Sequence, residues 1–194
     1  MSGRLERRAA VATLLAGRSD LLVVSGLGAP TYDVAAAGDN ERNFYLWGAM
    51  GSAALVGLGL ALAQPKLPVL VVTGDGELLM GLGGLATVAL AQPRNLAIVV
   101  LDNELYGETG GQASHTAGPT DLAAVARGCG IAEALRVEDE AALSALAPRL
   151  HRVGAGPLFA CVKVDPALLP RVLPPRDGTF LKNRLRGALG LPSI

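Results

Sequence analysis

The 194-residue sequence predicts an α/β fold: a single doubly wound, mostly parallel sheet with helices on both faces. Three observations carry that expectation. Residues 68–73 and 95–101 are near-continuous apolar runs, as parallel strands covered on both faces require. A helix-compatible segment, 78–92, lies between them, as a parallel crossover demands. Each run ends in a polar turn, Gly74-Asp75-Gly76 after the first and Asp102-Asn103 after the second. Both turns therefore belong at the carboxyl ends of neighbouring strands, the edge where open parallel sheets bind ligands.

The other elements follow in chain order. Residues 4–18 place Leu5, Ala9, Ala12 and Leu15 at helical spacing and stop near Gly17, giving a surface helix whose arginines form a solvated face. Residues 21–25 form a short buried strand. Gly26-Leu27-Gly28 behind it lacks the third glycine and the Lys-Ser/Thr ending of a phosphate loop and is set aside as a phosphate site. Ala29-Pro30 starts a short helix over 31–37, residues 38–42 are a polar loop, and 43–46 form a short strand delivering Gly48 and Met50. Residues 50–63 read as a buried helix whose Gly51, Gly57 and Gly59 permit close packing. In the crossover segment, Gly81, Gly83 and Gly84 each cost roughly 1 kcal/mol against alanine. That cost is expected where the helix start sits against a ligand or a partner subunit. Residues 104–118 form a polar, glycine-rich loop of functional length. A helix over 120–127 is capped by Thr120 or Asp121, 131–137 hold a short strand, and 138–151 form an amphipathic helix with an acidic start. Residues 157–164 are the last core strand, with Cys161 as a buried apolar residue. Residues 165–175 are proline-rich and extended, and 176–189 form a basic helical tail.

The chemistry concentrates on the two polar turns. Gly74 and Gly76 permit positive φ and close approach of a ligand to the main chain, and the N–H groups beyond Gly76 suit a phosphate. Asp75 supplies one hard oxygen, Asn103 a neutral one, and the Leu105 carbonyl a third. Mg²⁺ takes such oxygens at about 2.1 Å and completes its shell with phosphates and water. Turn sequences of either kind are common singly; their joint occurrence one crossover apart favours a diphosphate clamped through Mg²⁺ by Asp75 and Asn103. Glu77 is expected to turn its carboxylate away from such an anion, toward solvent or a basic group of a partner. In the following loop, Thr109, Gln112, Ser114 and His115 are within reach of a ligand. His115 reads either as a proton donor or acceptor near neutral pH or as a surface histidine, and His151 as structural.

Composition removes several classes. Lys+Arg and Asp+Glu both number 17, with no basic stripe, which argues against nucleic acid. Cys129 and Cys161 stand alone, which argues against zinc and iron–sulfur sites. Residues 50–63 are too short for a membrane span. The sequence begins with no secretory signal, so the expected location is the cytoplasm. A chain that is 51% hydrophobic with so apolar a helix is expected to associate with another subunit.

Gly74-Asp75-Gly76 followed by Asp102-Asn103 resembles the thiamine diphosphate fingerprint, GDG followed by NN, with Asp102 in place of the first Asn and Asn103, the usual metal ligand, kept. Residues 43–51, NFYLWGAMG, resemble the segment that holds the cofactor's two rings in a bent shape, and 106–112, YGETGGQ, the loop beyond the metal site. Together they are most similar to the thiamine-diphosphate-binding subunit of sulfopyruvate and phosphonopyruvate decarboxylases, over residues 21–116 and more weakly to 164. The resemblance implies the thiamine diphosphate-binding fold over residues 1–165, with 166–194 as an extension packing on a partner. It implies thiamine diphosphate and Mg²⁺ as cofactors, with Asp75, Asn103 and Leu105 on the metal. Gly48, Met50, Asp75, Gly76, Glu77, Asn103, Leu105, Tyr106 and Gly107 would bind the cofactor. The Gly48 carbonyl would accept the 4′-amino hydrogen and Met50 would prop the rings apart, although Met50 also reads as a core residue. The glutamate that activates the pyrimidine would come from a separate subunit, leaving no catalytic side chain assigned here beyond His115 as a candidate. The implied activity is decarboxylation of a small 2-oxo acid; a 2-oxoacid oxidoreductase β subunit and a non-catalytic cofactor-binding paralogue are the alternatives.

Overall fold

A computed structural model describes residues 4–193. In chain order it contains α1 (Arg7–Leu15), β1 (Leu22–Ser25), α2 (Ala29–Ala36), β2 (Asn43–Tyr45), α3 (Ala53–Ala63) and β3 (Val69–Gly74). Next come α4 (Asp75–Met80), α5 (Gly84–Ala91), β4 (Leu96–Asp102), β5 (Leu105–Tyr106) and β6 (Gln112–Ala113). The chain closes with α6 (Leu122–Gly128), β7 (Glu133–Val137), α7 (Glu140–Leu150), β8 (Leu158–Lys163) and α8 (Gly178–Ala188). Six strands form one sheet in the order β2-β1-β3-β4-β8-β7, and every pair in it is parallel.

The central strands are buried on both faces, and successive side chains alternate between two core layers. Val23, Leu70, Val72 and Val99 pack with Val11, Leu14, Val34 and Leu146 from α1, α2 and α7 on one face. Val24, Val71, Ile98 and Val100 pack with Leu58, Leu85, Val88 and Ala126 from α3, α5 and α6 on the other. The chain leaves β1 through α2 on the first face and β3 through α5 on the second. The carboxyl ends of β1 and β3 therefore open onto a crevice, the switch point at which doubly wound sheets bind ligands.

The expected crossover helix over 78–92 is two helices. Helix α4 begins at Asp75 itself, with Gly74 extended (φ −96°, ψ 161°) as its cap. It ends at Gly81, and α5 starts at Gly84. At Gly81 the break has a packing cause within this chain. A Cβ on Gly81 would lie 1.8 Å from the Gly51 carbonyl oxygen, so two main chains meet where no side chain fits. Neither Gly74 nor Gly76 adopts positive φ. At Gly76 glycine is required for space, since a Cβ there would stand 2.6 Å from the Tyr106 ring.

Two further expectations change. Helix α1 starts at Arg7, capped by the Glu6 carboxylate, and Arg7 is buried rather than solvated. The 104–118 loop is ordered by the β5–β6 hairpin, closed by Ser114 N–H donating to the Glu104 carbonyl at 2.8 Å, and by a 3₁₀ turn, His115–Ala117. Residues 166–177 cross their own chain: Arg8 Nη2 donates to the Pro170 carbonyl and Trp47 Nε1 to that of Pro175, each at 2.7 Å. Helix α8 then lies on β2, burying Leu181 and pairing Arg184 with Asp39 at 2.7 Å, while Leu168, Leu173 and Phe180 stay exposed. His151 Nε2 bonds the Leu14 carbonyl at 2.7 Å, the structural role expected of it. Among the described residues no helix is long and apolar enough to cross a membrane.

Helix α3 owes its close seat on β3 to Gly57, where a Cβ would fall 2.1 Å from Val71 Cγ2. Gly57→Ala is therefore expected to destabilise the chain by about 1–3 kcal/mol through overpacking, read as a lower urea midpoint at unchanged slope.

Candidate active site

The register pairs Gly74 with Leu101, so Asp75 leaves the sheet directly beside Asp102-Asn103. A cleft at this edge is lined by Met50, Gly74, Asp75, Gly76, Glu77, Asn103, Leu105, Tyr106 and Gly107, together with Glu108 and Thr109. The two turns singled out in the sequence thus open onto one cavity. Asn103 Oδ1 accepts from Leu105 N–H at 3.1 Å, a local turn that fixes the side chain at the strand end.

Asp75 is 1% exposed. Its Oδ2 accepts from the Ser114 hydroxyl and, at 3.0 Å, is within reach of Thr116 Oγ1. Thr116 Oγ1 also lies 2.7 Å from Asp102 Oδ1. One hydroxyl proton cannot serve both carboxylates, so the pair stands partly uncompensated. Burial, with a smaller contribution from the Asp102 charge, pushes the Asp75 carboxyl above the ordinary aspartate range, against the pull of Ser114. Asp102 has its own cation in Lys163, its register partner on β8, at 2.7 Å. Lys163 also pairs with Glu104 at 2.8 Å, and Arg4 pairs with Glu104 at 2.7 Å. The Cys161 thiol points at Asp102 Oδ2 from 3.3 Å and is pushed up by burial and by that charge. Among the described residues no cation pairs with Asp75.

Glu77 is neither at the surface nor turned toward a partner. It is 5% exposed, and its Oε2 accepts from Thr73 Oγ1 at 2.6 Å. The carboxyl occupies space that Gly26 leaves by having no side chain. Oε1 has no hydrogen bond. Burial raises the carboxyl above its usual range, partly offset by Thr73 and by the nearby Ala53 and Gly51 amides.

The remaining candidates divide. Met50 lines the cleft, whereas Gly48 is exposed outside the lining, one residue before Ala49 at φ 56°. His115 is exposed and held by Tyr106, its Nδ1 3.0 Å from the phenol oxygen. Thr109 and Gln112 bond each other, and Ser114 is committed to Asp75. Arg7, Leu27, Ala29 and Pro30 line the cleft and were not singled out. The signal available for the last three was position: they follow a strand and open α2, whose Gly28 cap (φ 80°) supplies no side-chain hydrogen bond. The Glu108 carboxyl rests against Gly28, so the uncapped start of α2 already faces an anionic group.

These residues fit a metal-bound diphosphate: an uncompensated carboxylate, an amide oxygen and a carbonyl form an all-oxygen donor set, as Mg²⁺ prefers. Comparison with known proteins bears on the cofactor. Residues 31–164 match the family model of the thiamine pyrophosphate enzyme C-terminal TPP-binding domain. The chain is 42% identical over 167 residues to the sulfopyruvate decarboxylase β subunit of Methanothermobacter thermautotrophicus, covering 84% of this chain and 83% of that one. It is 45% identical over 111 residues to the Methanocaldococcus jannaschii β subunit, covering 57% and 58%. With the phosphonopyruvate decarboxylase of Streptomyces viridochromogenes identity is 48% over 130 residues, covering 66% of this chain and 32% of the longer one. The match thus spans less than two thirds of two of these three relatives. The fold is shared with benzoylformate decarboxylase from Polynucleobacter necessarius, at TM-score 0.68 and 21% identity over 86% of this chain and 34% of that one. The chain belongs to the thiamine pyrophosphate enzyme family, as a C-terminal TPP-binding domain of the sulfopyruvate and phosphonopyruvate decarboxylase type.

Proposed function

We propose that this chain is the thiamine-diphosphate- and Mg²⁺-binding subunit of a 2-oxo acid decarboxylase acting on sulfopyruvate or phosphonopyruvate, completed by a separate pyrimidine-binding subunit. The observation that carries the reading is the buried Asp75 carboxylate beside Asn103 at one strand edge, with no cation of its own among the described residues. A dication bound there by Asp75, Asn103 and the Leu105 carbonyl relieves the repulsion from Asp102. Three of the sulfopyruvate decarboxylase relatives are named β subunits, which supports a partner. The Streptomyces viridochromogenes phosphonopyruvate decarboxylase is matched over only 32% of its length, which leaves room in that longer chain for a second domain.

When bound, thiamine diphosphate supplies a carbanion nucleophile and an electron sink for decarboxylation. The chain's own residues hold and orient. The main chain from Gly74 to Gly76 would receive the diphosphate; the Gly48 carbonyl would accept from the aminopyrimidine, and Met50 would support the rings. Tyr106 and Gly107 cover the clamp, and Tyr106 keeps His115 at the rim. Glu77 stays within hydrogen-bond reach of Thr73 beneath the diphosphate. The group that activates the pyrimidine comes from the partner, so the site lies between subunits.

Three outcomes follow. Purified alone, the chain decarboxylates neither acid; mixed with its partner, Mg²⁺ and thiamine diphosphate, it releases CO₂. Full activity from this chain alone would refute the divided site. Asp75→Asn is expected to raise the melting temperature of the metal-free chain by about 2–4 °C at pH 7.5 and to abolish stabilisation by Mg²⁺ with thiamine diphosphate. The sign follows from the raised carboxyl: below its unfolded value both states are protonated, and stability is lost as pH rises through the folded value. The gain should therefore vanish in melts at pH 3. Lys163→Met strands Asp102 and should cost roughly 3 kcal/mol; adding Asp102→Asn should recover most of it in a urea double-mutant cycle.

A further inference from the structure

Arg7 is the one basic side chain that lines the cleft among the described residues. It is 7% exposed, on the first turn of α1. Its Nε donates to Asp33 Oδ2, and Asp33, itself 0% exposed, takes Arg8 Nε on Oδ1 at 3.2 Å. Two guanidinium groups thus share one carboxylate, and the cluster keeps a surplus positive charge away from bulk water. Glu6 does not cancel it, because its carboxylate caps α1 through the Arg8 and Ala9 N–H groups. Asp165, at a shallow hollow behind Arg7, accepts from Ala167 N–H at 2.8 Å. Neither Nη1 nor Nη2 of Arg7 makes a hydrogen bond to a described residue. A half-buried surplus cation is costly unless an anion meets it, and a guanidinium fork matches the oxygens of a tetrahedral oxyanion.

We propose that Arg7 is an oxyanion-binding residue of the cleft, its Asp33-anchored guanidinium receiving a phosphate, phosphonate or sulfonate group. The inference rests on the cofactor reading of this cleft and deepens it. Two sources present that chemistry: the diphosphate of the cofactor and the acidic head of a sulfonated or phosphonated 2-oxo acid. Arg8 supplies an internal control, since it shares Asp33 but lies outside the lining of the cleft.

The test is calorimetric titration of the full chain with inorganic diphosphate plus Mg²⁺ in one arm and sulfoacetate in the other, with circular dichroism as the check on folding. Arg7→Gln is expected to weaken whichever oxyanion the site takes by about tenfold or more, the worth of a charge-assisted fork. Arg8→Gln removes the surplus charge but keeps the Arg7 fork, so it should weaken binding by less than Arg7→Gln does while lowering stability. Arg7→Lys keeps the ion pair with Asp33 and loses the fork; a weakening of about threefold is expected, and it carries the test if the glutamine variant does not fold. Loss in the diphosphate arm assigns Arg7 to the cofactor, and loss in the sulfoacetate arm to the substrate. Equal affinities in wild type and folded Arg7 variants, or no binding of either oxyanion by wild type, overturn the proposal. Titration with Mg²⁺ and thiamine diphosphate separates the two readings: its failure while an oxyanion still binds sinks the cofactor assignment alone.

Discussion

Asp75 is a carboxylate taken out of water and given hydroxyl groups in place of a cation. That choice is unfavourable for the isolated fold, because desolvated charge is poorly repaid by neutral donors. Much of the local architecture exists to hold it. The β3–β4 register sets Asp75 beside Asp102 and Asn103. The hairpin of β5 and β6 returns the chain so that Ser114 and Thr116 reach Asp75 from above. Lys163 takes the Asp102 charge away from the pair. On the proposed reading, a site arranged this way is preorganised for a ligand that brings positive charge, the usual exchange of stability for binding.

The strands were legible because their signal is local and strong. Residues 68–73 and 95–101 are short apolar runs rich in β-branched residues and bounded by turn residues, the pattern of a strand covered on both faces. Asp75 and Asn103 were legible for a similar reason: each sits just beyond such a strand, so finding the strand locates the residue. Arg7 was not legible, since its burial depends on Asp33 in another helix and nothing in residues 4–18 announces that partner. Glu77 failed in the same way. Its pocket is the absent side chain of Gly26, on the far side of two intervening strands in the sequence. The glycines of the crossover were visible as a cost to helix, but the cause at Gly81, contact with Gly51, is long-range.

The C-terminal segment shows how one stretch serves its own chain while leaving a face outward. Its proline-rich half is fastened by Arg8 and Trp47 to backbone carbonyls, and Arg171 and Arg176 lie over the Tyr32 and Trp47 rings at 5.6 and 5.1 Å. Helix α8 then shields the β2 edge, which would otherwise offer unpaired backbone groups to other strands. Trp47 is the residue before Gly48, so this strap also braces the segment that carries Met50 into the cleft.

The meeting of Gly51 with Gly81 has a geometric consequence. Gly51 follows Met50, and Gly81 caps the short helix that begins with Asp75, so the joint ties together two segments that line the cleft. The two segments are spaced by peptide groups in van der Waals contact, with no side chain between them to lengthen or shorten. The cleft therefore behaves as a fixed caliper, whose opening cannot be retuned by exchanging residues at that joint. Any molecule that spans it must match a length written in the main chain.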